Sequence, residues 1–230
     1  QAVYRLSSLQ KINPTKITFA TNRTDGLTGN LAYIKKEIEE TNPTKKIIVL
    51  EKKMNPNLFG KLSYLLHMLR VSYHMATSRF MIVDDYYFPM YVVKPRAGTE
   101  FIQVWHAAGA FKKFGLSTVG KLYGPSNQYL RHVPVHSNYS RVYVSSNEVI
   151  PFYAEAFGMS ADKIYPLGLP RTDFFLKEGN REKVKEKFFN MYPNLFGKQI
   201  ILYAPTFRGK SNYQGKFAAP IDFGEMSRQL

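Results

Sequence analysis

An α/β fold built on a parallel sheet is predicted by three features of this 230-residue sequence. Short apolar runs rich in β-branched and aromatic residues recur, longer amphipathic stretches separate them, and polar or glycine-bearing turns follow them. Residues 16–21 read as the first strand, followed by Gly26 and Gly29 in a polar turn. Leu31, Ile34 and Ile38 recur at helical spacing, so residues 31–40 read as a helix that ends before Asn42-Pro43. Residues 46–50 form the next strand, 57–78 a long helix, and 80–84, 101–105 and 142–145 further strands. A helix over 148–157 stops at Gly158, and residues 164–168 lead into Leu169-Pro170-Arg171-Thr172-Asp173. Residues 180–190 form a charged helix expected to cross between lobes, and residues 199–204 start a second sheet. The expected organisation is an N-terminal Rossmann-like lobe over 1–175, an interlobe helix over 176–198, and the beginning of a C-terminal lobe over 199–230. One strand cannot make a domain, so a fragment of a longer two-lobed protein is expected.

Thirty-two Lys and Arg oppose seventeen Asp and Glu, a formal charge of +15 that favours an anionic partner: nucleic acid, phosphorylated polymer, nucleotide or membrane surface. The absence of cysteine excludes disulfides and thiolate metal sites. No charged-then-apolar secretory pattern opens the sequence, and no run approaches the roughly 20 apolar residues of a spanning helix.

Ligands of parallel sheets bind beyond the carboxyl ends of the strands, so residues just after each strand are where chemistry is sought. His106 stands directly after the strand at 101–105 and precedes Ala107, Ala108 and Gly109, then Lys112 and Lys113. Small side chains let substrate and backbone amides approach, lysines attract phosphate, and an imidazole suits proton abstraction near neutral pH. On residue type alone, a structural histidine at a strand end is the commoner outcome. Asp84-Asp85 could hold a metal, although capping of the next helix is the expected role and no metal is expected. Phe111, Lys112, Lys113 and Phe114 could serve single-stranded nucleic acid, but no nucleic-acid motif accompanies them and no nucleic-acid partner is expected. No Gly-x-Ser-x-Gly elbow is present, which argues against a serine hydrolase.

The segment from Gln103 to Gly115 resembles the Trp-His-(Gly/Ala)-x-x-x-x-Lys stretch of the CDP-glycerol and CDP-ribitol transferases of teichoic acid synthesis. The resemblance continues through Gly29-Asn30, Val83-Asp84-Asp85, Tyr143-Val144-Ser145-Ser146, Pro151 to Gly158, Gly168 to Asp173 and Ala204 to Gly209. It implies a two-lobed GT-B architecture and transfer of ribitol phosphate or glycerol phosphate, without a cofactor, from a CDP-activated donor to the terminal hydroxyl of a lipid-linked teichoic acid. It also implies that His106 is the catalytic base, that Trp105, Ala107, Ala108 and Gly109 lie against donor phosphates, and that Arg171, Thr206, Phe207 and Arg208 contact the CDP-polyol. The form of the His106 segment is closer to that of the ribitol-phosphate enzymes. The family's second histidine, in a Lys-x-His-Pro segment, is absent from this sequence, so the fragment alone is expected to be nearly inactive. The alternative from a different class is a non-catalytic basic module that binds anionic polymer or membrane.

On a helical wheel of residues 57–78, His67, Arg70 and His74 share one sector and Leu62, Leu65, Leu66, Met68, Leu69, Tyr73 and Met75 cover much of the rest. An ordinary helix with a basic outer stripe fits this pattern. The resemblance tips the reading towards contact of His67, Arg70 and His74 with an anionic membrane, strengthened as pH falls through about 6.5. A peripheral position on the cytoplasmic face of the bacterial membrane follows.

Overall fold

Apolar side chains alternate along the short strands and so face two sides of one sheet. The strands are β1 (Asn13–Thr21), β2 (Lys46–Glu51), β3 (Ser78–Val83), β4 (Glu100–Gln103), β5 (Arg141–Tyr143) and β6 (Ile164–Tyr165). All pair in parallel, in the order β2-β1-β3-β4-β5-β6. The computed structural model describes residues 1–24, 26–53, 57–121, 124–204 and 221–229 and divides the chain into two units, Gln1–Lys177 and Glu178–Leu230.

In the first unit, Ala20, Met81, Val83, Phe101 and Val142 face one core. Ile17, Phe19, Ile82 and Ile102 face the other, beneath Leu31. The helices of this unit are α1 (Ala2–Ser7), α2 (Gly29–Thr41), α3 (Leu58–Thr77), α4 (Phe88–Tyr91), α5 (Asn127–His132), α6 (Ile150–Phe157) and α7 (Asp173–Leu176). Asn57 starts α3 by accepting the Gly60 N–H at 2.6 Å, and Gly158, at φ +59°, ends α6 in the left-handed conformation. The carboxyl half of α3 is anchored by buried Val71, Met75 and Ala76. The direction reversal between β1 and β3 is a topological switch point, where a crevice opens past the strand ends.

Three expectations need correction. β4 stops at Gln103 because the backbone turns at Trp105, which takes φ +44°. β6 is a strand that its two-residue length hid from periodicity. Residues 199–204 form no strand: an apolar run needs a neighbouring strand to satisfy its backbone, and none lies beside it among the described residues. The second unit instead holds α8 (Asn180–Met191), with Phe188 against Tyr192 and Phe189 against Phe196, and α9 (Phe223–Gln229).

Candidate active site

The site is built where β1, β3, β4 and β6 end. His106 follows Trp105, whose positive φ is rare for a bulky residue and costs of order 1–3 kcal/mol. Two buried amides hold that turn. Gln103, fully buried in β4, accepts the Trp105 N–H at 2.9 Å and donates to the Asp85 carbonyl and the Tyr139 hydroxyl, both at 3.0 Å. Asn30, at the start of α2, donates to the carbonyls of Val104 (3.2 Å) and Trp105 (2.9 Å) and accepts the Arg171 N–H at 3.3 Å.

The Trp105 ring lies under His106, with centroids 4.6 Å apart and planes at 26°. Its other neighbours are Phe114, His136 and Phe157. His136 sits in this core with its pKa pushed down to about 3 by burial, so it is a neutral packing group that meets the Tyr139 hydroxyl at 3.1 Å. Gly115, at φ +55°, closes the cluster: a Cβ there would stand 2.3 Å from the Ala156 carbonyl and 3.0 Å from the His136 ring. Gly115→Ala should therefore cost about 3 kcal/mol, combining left-handed strain with overpacking. Urea denaturation checks this; an unchanged midpoint would contradict the packing described.

Nδ1 of His106 lies 3.0 Å from the Asp84 carbonyl and 4.0 Å from Oδ1 of Asp85. A carbonyl only accepts, so Nδ1 carries the proton and a neutral ring keeps the Nε2 lone pair. Arg171 Nη1 donates to the His106 carbonyl at 3.1 Å, and Arg23 Nε stands 3.2 Å from Oδ2 of Asp85. Together Arg23, Thr24, Thr28, Gly29, Asn30, Asp84, His106 and Arg171 line a cavity of about 300 Å³. A larger groove of about 720 Å³ beside α2 is walled by Ile34, Tyr143, Leu169 and Phe174 among others and contains neither His106 nor Arg171.

Of the residues singled out from sequence, His106 and Arg171 meet in the smaller cavity. Trp105 is buried behind it, the Ala107 carbonyl accepts the Tyr153 hydroxyl at 3.3 Å, Ala108 is exposed, and Gly109 faces the Phe111 ring. Thr206, Phe207 and Arg208 lie outside the described residues. Neither Asp84 nor Asp85 caps α4, because Asp84 lines the cavity while Asp85 accepts the Tyr86 N–H at 2.7 Å and pairs with Arg23. Phe114 is stacked on Trp105 and Lys113 stands 3.6 Å from Glu155, whereas Phe111 is exposed. No metal-holding cluster of His, Asp and Glu occurs among the described residues. Arg23, Thr24 and Thr28 escaped the sequence reading; their signal was position, directly past the first strand at the switch point.

A Rossmann-like lobe whose strand-end imidazole faces a guanidinium-lined cavity is the class defined by fold and site together. The chain belongs to the CDP-glycerol:poly(glycerophosphate) glycerophosphotransferase family, which it matches over residues 2–230. It is 44% identical over 225 residues to the teichoic acid ribitol-phosphate primase of Bacillus spizizenii, covering 98% of this chain and 58% of that protein. It is 35% identical to the teichoic acid poly(ribitol-phosphate) polymerase of the same organism, covering 99% of this chain and 36% of the relative. It is also 35% identical to a ribitol-phosphate polymerase of Staphylococcus aureus, covering 92% and 37%. The chain thus spans about a third to three fifths of the length of these relatives. The solved wall teichoic acid polymerase TagF shares the fold, with a TM-score of 0.70 at 18% identity over 99% of this chain and 57% of that one. This agrees with the GT-B-type, Rossmann-like architecture expected from sequence.

Proposed function

We propose that the protein carrying this chain transfers ribitol phosphate or glycerol phosphate from a CDP-activated donor to the terminal hydroxyl of a lipid-linked teichoic acid chain. The observation that carries this reading is the 3.0 Å contact of His106 Nδ1 with the Asp84 carbonyl, which leaves Nε2 of a neutral ring to take a proton. Nε2 removes the acceptor hydroxyl proton, the oxygen forms a bond to the donor's β-phosphorus, and the bond from that phosphorus to the bridging oxygen breaks, releasing CMP. The small side chains of Ala107, Ala108 and Gly109 leave room for the donor diphosphate to approach. An isolated binding module needs no such tautomer control.

Ribitol is the better supported donor polyol. The ribitol-phosphate relatives align over 92–99% of this chain, whereas two glycerol-phosphate primases at 34% and 35% identity align over 62%. CMP release should be about tenfold or more faster with CDP-ribitol than with CDP-glycerol, since a site that hydrogen-bonds extra hydroxyls discriminates against a ligand lacking them. Preference for CDP-glycerol would move the donor assignment. Absence of CMP release from either, with a teichoic acid acceptor present, would remove the transferase reading.

The proposal includes peripheral contact with the cytoplasmic face of the bacterial membrane through α3. No helix among the described residues is long and apolar enough to cross a membrane. The outward face of α3 differs from the basic stripe expected from the wheel. Leu58, Phe59, Leu62, Leu65, Leu66 and Leu69 are exposed, Phe59 by 83%, and Arg70 lies among them. His67 and His74 are half-buried. Burial, then Lys16, Arg70 and Lys46, lower the His74 pKa to about 4; burial, then Lys52 and Arg70, lower that of His67. An apolar face bordered by cations suits a helix lying in an anionic interface.

A further inference from the structure

We infer that the cavity beside His106 seats the terminal polyol phosphate of the acceptor chain, its phosphate between Arg171 and the start of α2 and one of its hydroxyls on Asp84. The inference deepens the proposed transfer and rests on it.

Two kinds of group meet in this cavity. One is cationic or donating: Arg171, Arg23 and the first turn of α2. Thr28 makes no side-chain cap to that turn and no acidic residue lies in it, so its N–H groups and the helix dipole favour an anion. A Cβ on Gly29 would stand 4.0 Å from Arg171 Cδ, which puts the helix start and the guanidinium stem side by side. The other kind is a carboxyl only partly satisfied, since Thr21 hydrogen-bonds to Asp84 but one oxygen is left over. Asp84 is 8% exposed, lines the cavity, and its Oδ1 has no hydrogen-bond partner among the described residues. Burial also raises its pKa. A buried carboxylate oxygen left without a donor is costly, and a ligand hydroxyl removes that cost.

These groups select a ligand. A free phosphate would leave Oδ1 unpartnered and press a second anion against it. A neutral polyol would leave the guanidinium and the helix start without an anion. A polyol phosphate satisfies both, and the end of a teichoic acid offers hydroxyls and a phosphodiester a few bonds apart. The attacking oxygen must stand between the base and the donor's phosphorus, so the unit against His106 is the acceptor's, with the donor's polyol phosphate beyond it. This moves Arg171 from the donor, where the family resemblance puts it, to the acceptor.

The test is a titration of this chain at low salt, followed by amide NMR shifts, with glycerophosphoglycerol as a mimic of the chain end and di-n-propyl phosphate as its hydroxyl-free counterpart. Glycerophosphoglycerol should bind about tenfold more tightly, and Arg171→Gln, at an exposed position, should weaken both by about tenfold. Equal affinity for the two phosphates overturns the inference, as does an Arg171→Gln protein that binds both as well as the parent does. Displacement of glycerophosphoglycerol by CDP-glycerol also overturns it, by giving the cavity to the donor; retention beside bound CDP-glycerol supports it. No readout uses CMP release, so failure here is separable from failure of the transferase reading.

Discussion

In the full-length protein that carries this chain, His106→Ala should lower CMP release by about 100- to 10,000-fold while the protein stays folded, the range for loss of a positioned general base. The ring is partly exposed, so truncating it opens no buried cavity. Its Nδ1 bond goes to the Asp84 carbonyl at 3.0 Å, an acceptor that water can serve after truncation. Trp105 loses a stacked neighbour yet keeps Phe114 and Phe157. The stability change is therefore expected to stay near 1 kcal/mol. Thermal melts and CMP release should be measured on the same samples. A folded variant that turns over at the parent's rate would remove His106 from the chemistry.

The second large effect belongs to α3. Replacing both Leu62 and Leu66 by Glu takes two side chains, 56% and 60% exposed, out of the apolar face proposed to enter the interface. Burying a leucine is worth about 1.5–3 kcal/mol, so losing two should weaken vesicle binding by about a hundredfold or more. Arg70→Glu should act more mildly, by about tenfold or more at low salt and less at high salt, since one charge near an anionic surface is worth about 1 kcal/mol and is screened. Lowering the pH from 7 to 5.5 should not recruit His74, because a group whose pKa falls to about 4 stays neutral across that window. Co-sedimentation with anionic vesicles, with melts in parallel, decides the matter. Equal sedimentation of the parent and the double variant would end the membrane reading.

Much of the sheet was legible from sequence because each strand carries its own signal: Ile17, Phe19, Ile47, Val49, Met81 and Phe101 stand in short apolar runs bounded by turns. β6 carries two residues and no period, and residues 199–204 carry the period without a partner strand among the described residues. His106 and Arg171 were legible through a family pattern. Arg23, Thr24 and Thr28 were not, because nothing local distinguishes polar residues of a loop from those of a site. Only the reversal of strand order between β1 and β3 makes that loop a wall of the cavity. The outward face of α3 was misread for a related reason: a wheel gives angles, while Lys52, beside His67, and Lys16 and Lys46, beside His74, come from other parts of the chain.

The left-handed backbone at Trp105 sets two selective demands against each other. Glycine would relax the turn, since it adopts that conformation without a steric clash, and by backbone criteria alone it is the better residue there. It would also remove the indole on which the imidazole of His106 rests and leave a void among Phe114, His136 and Phe157. A search for stabilising substitutions guided by torsion angles would select this position and disarm the protein. Asn30 and Gln103 hold the local cost in place, so tolerance of the tryptophan is inherited from two amides that lie far apart in sequence.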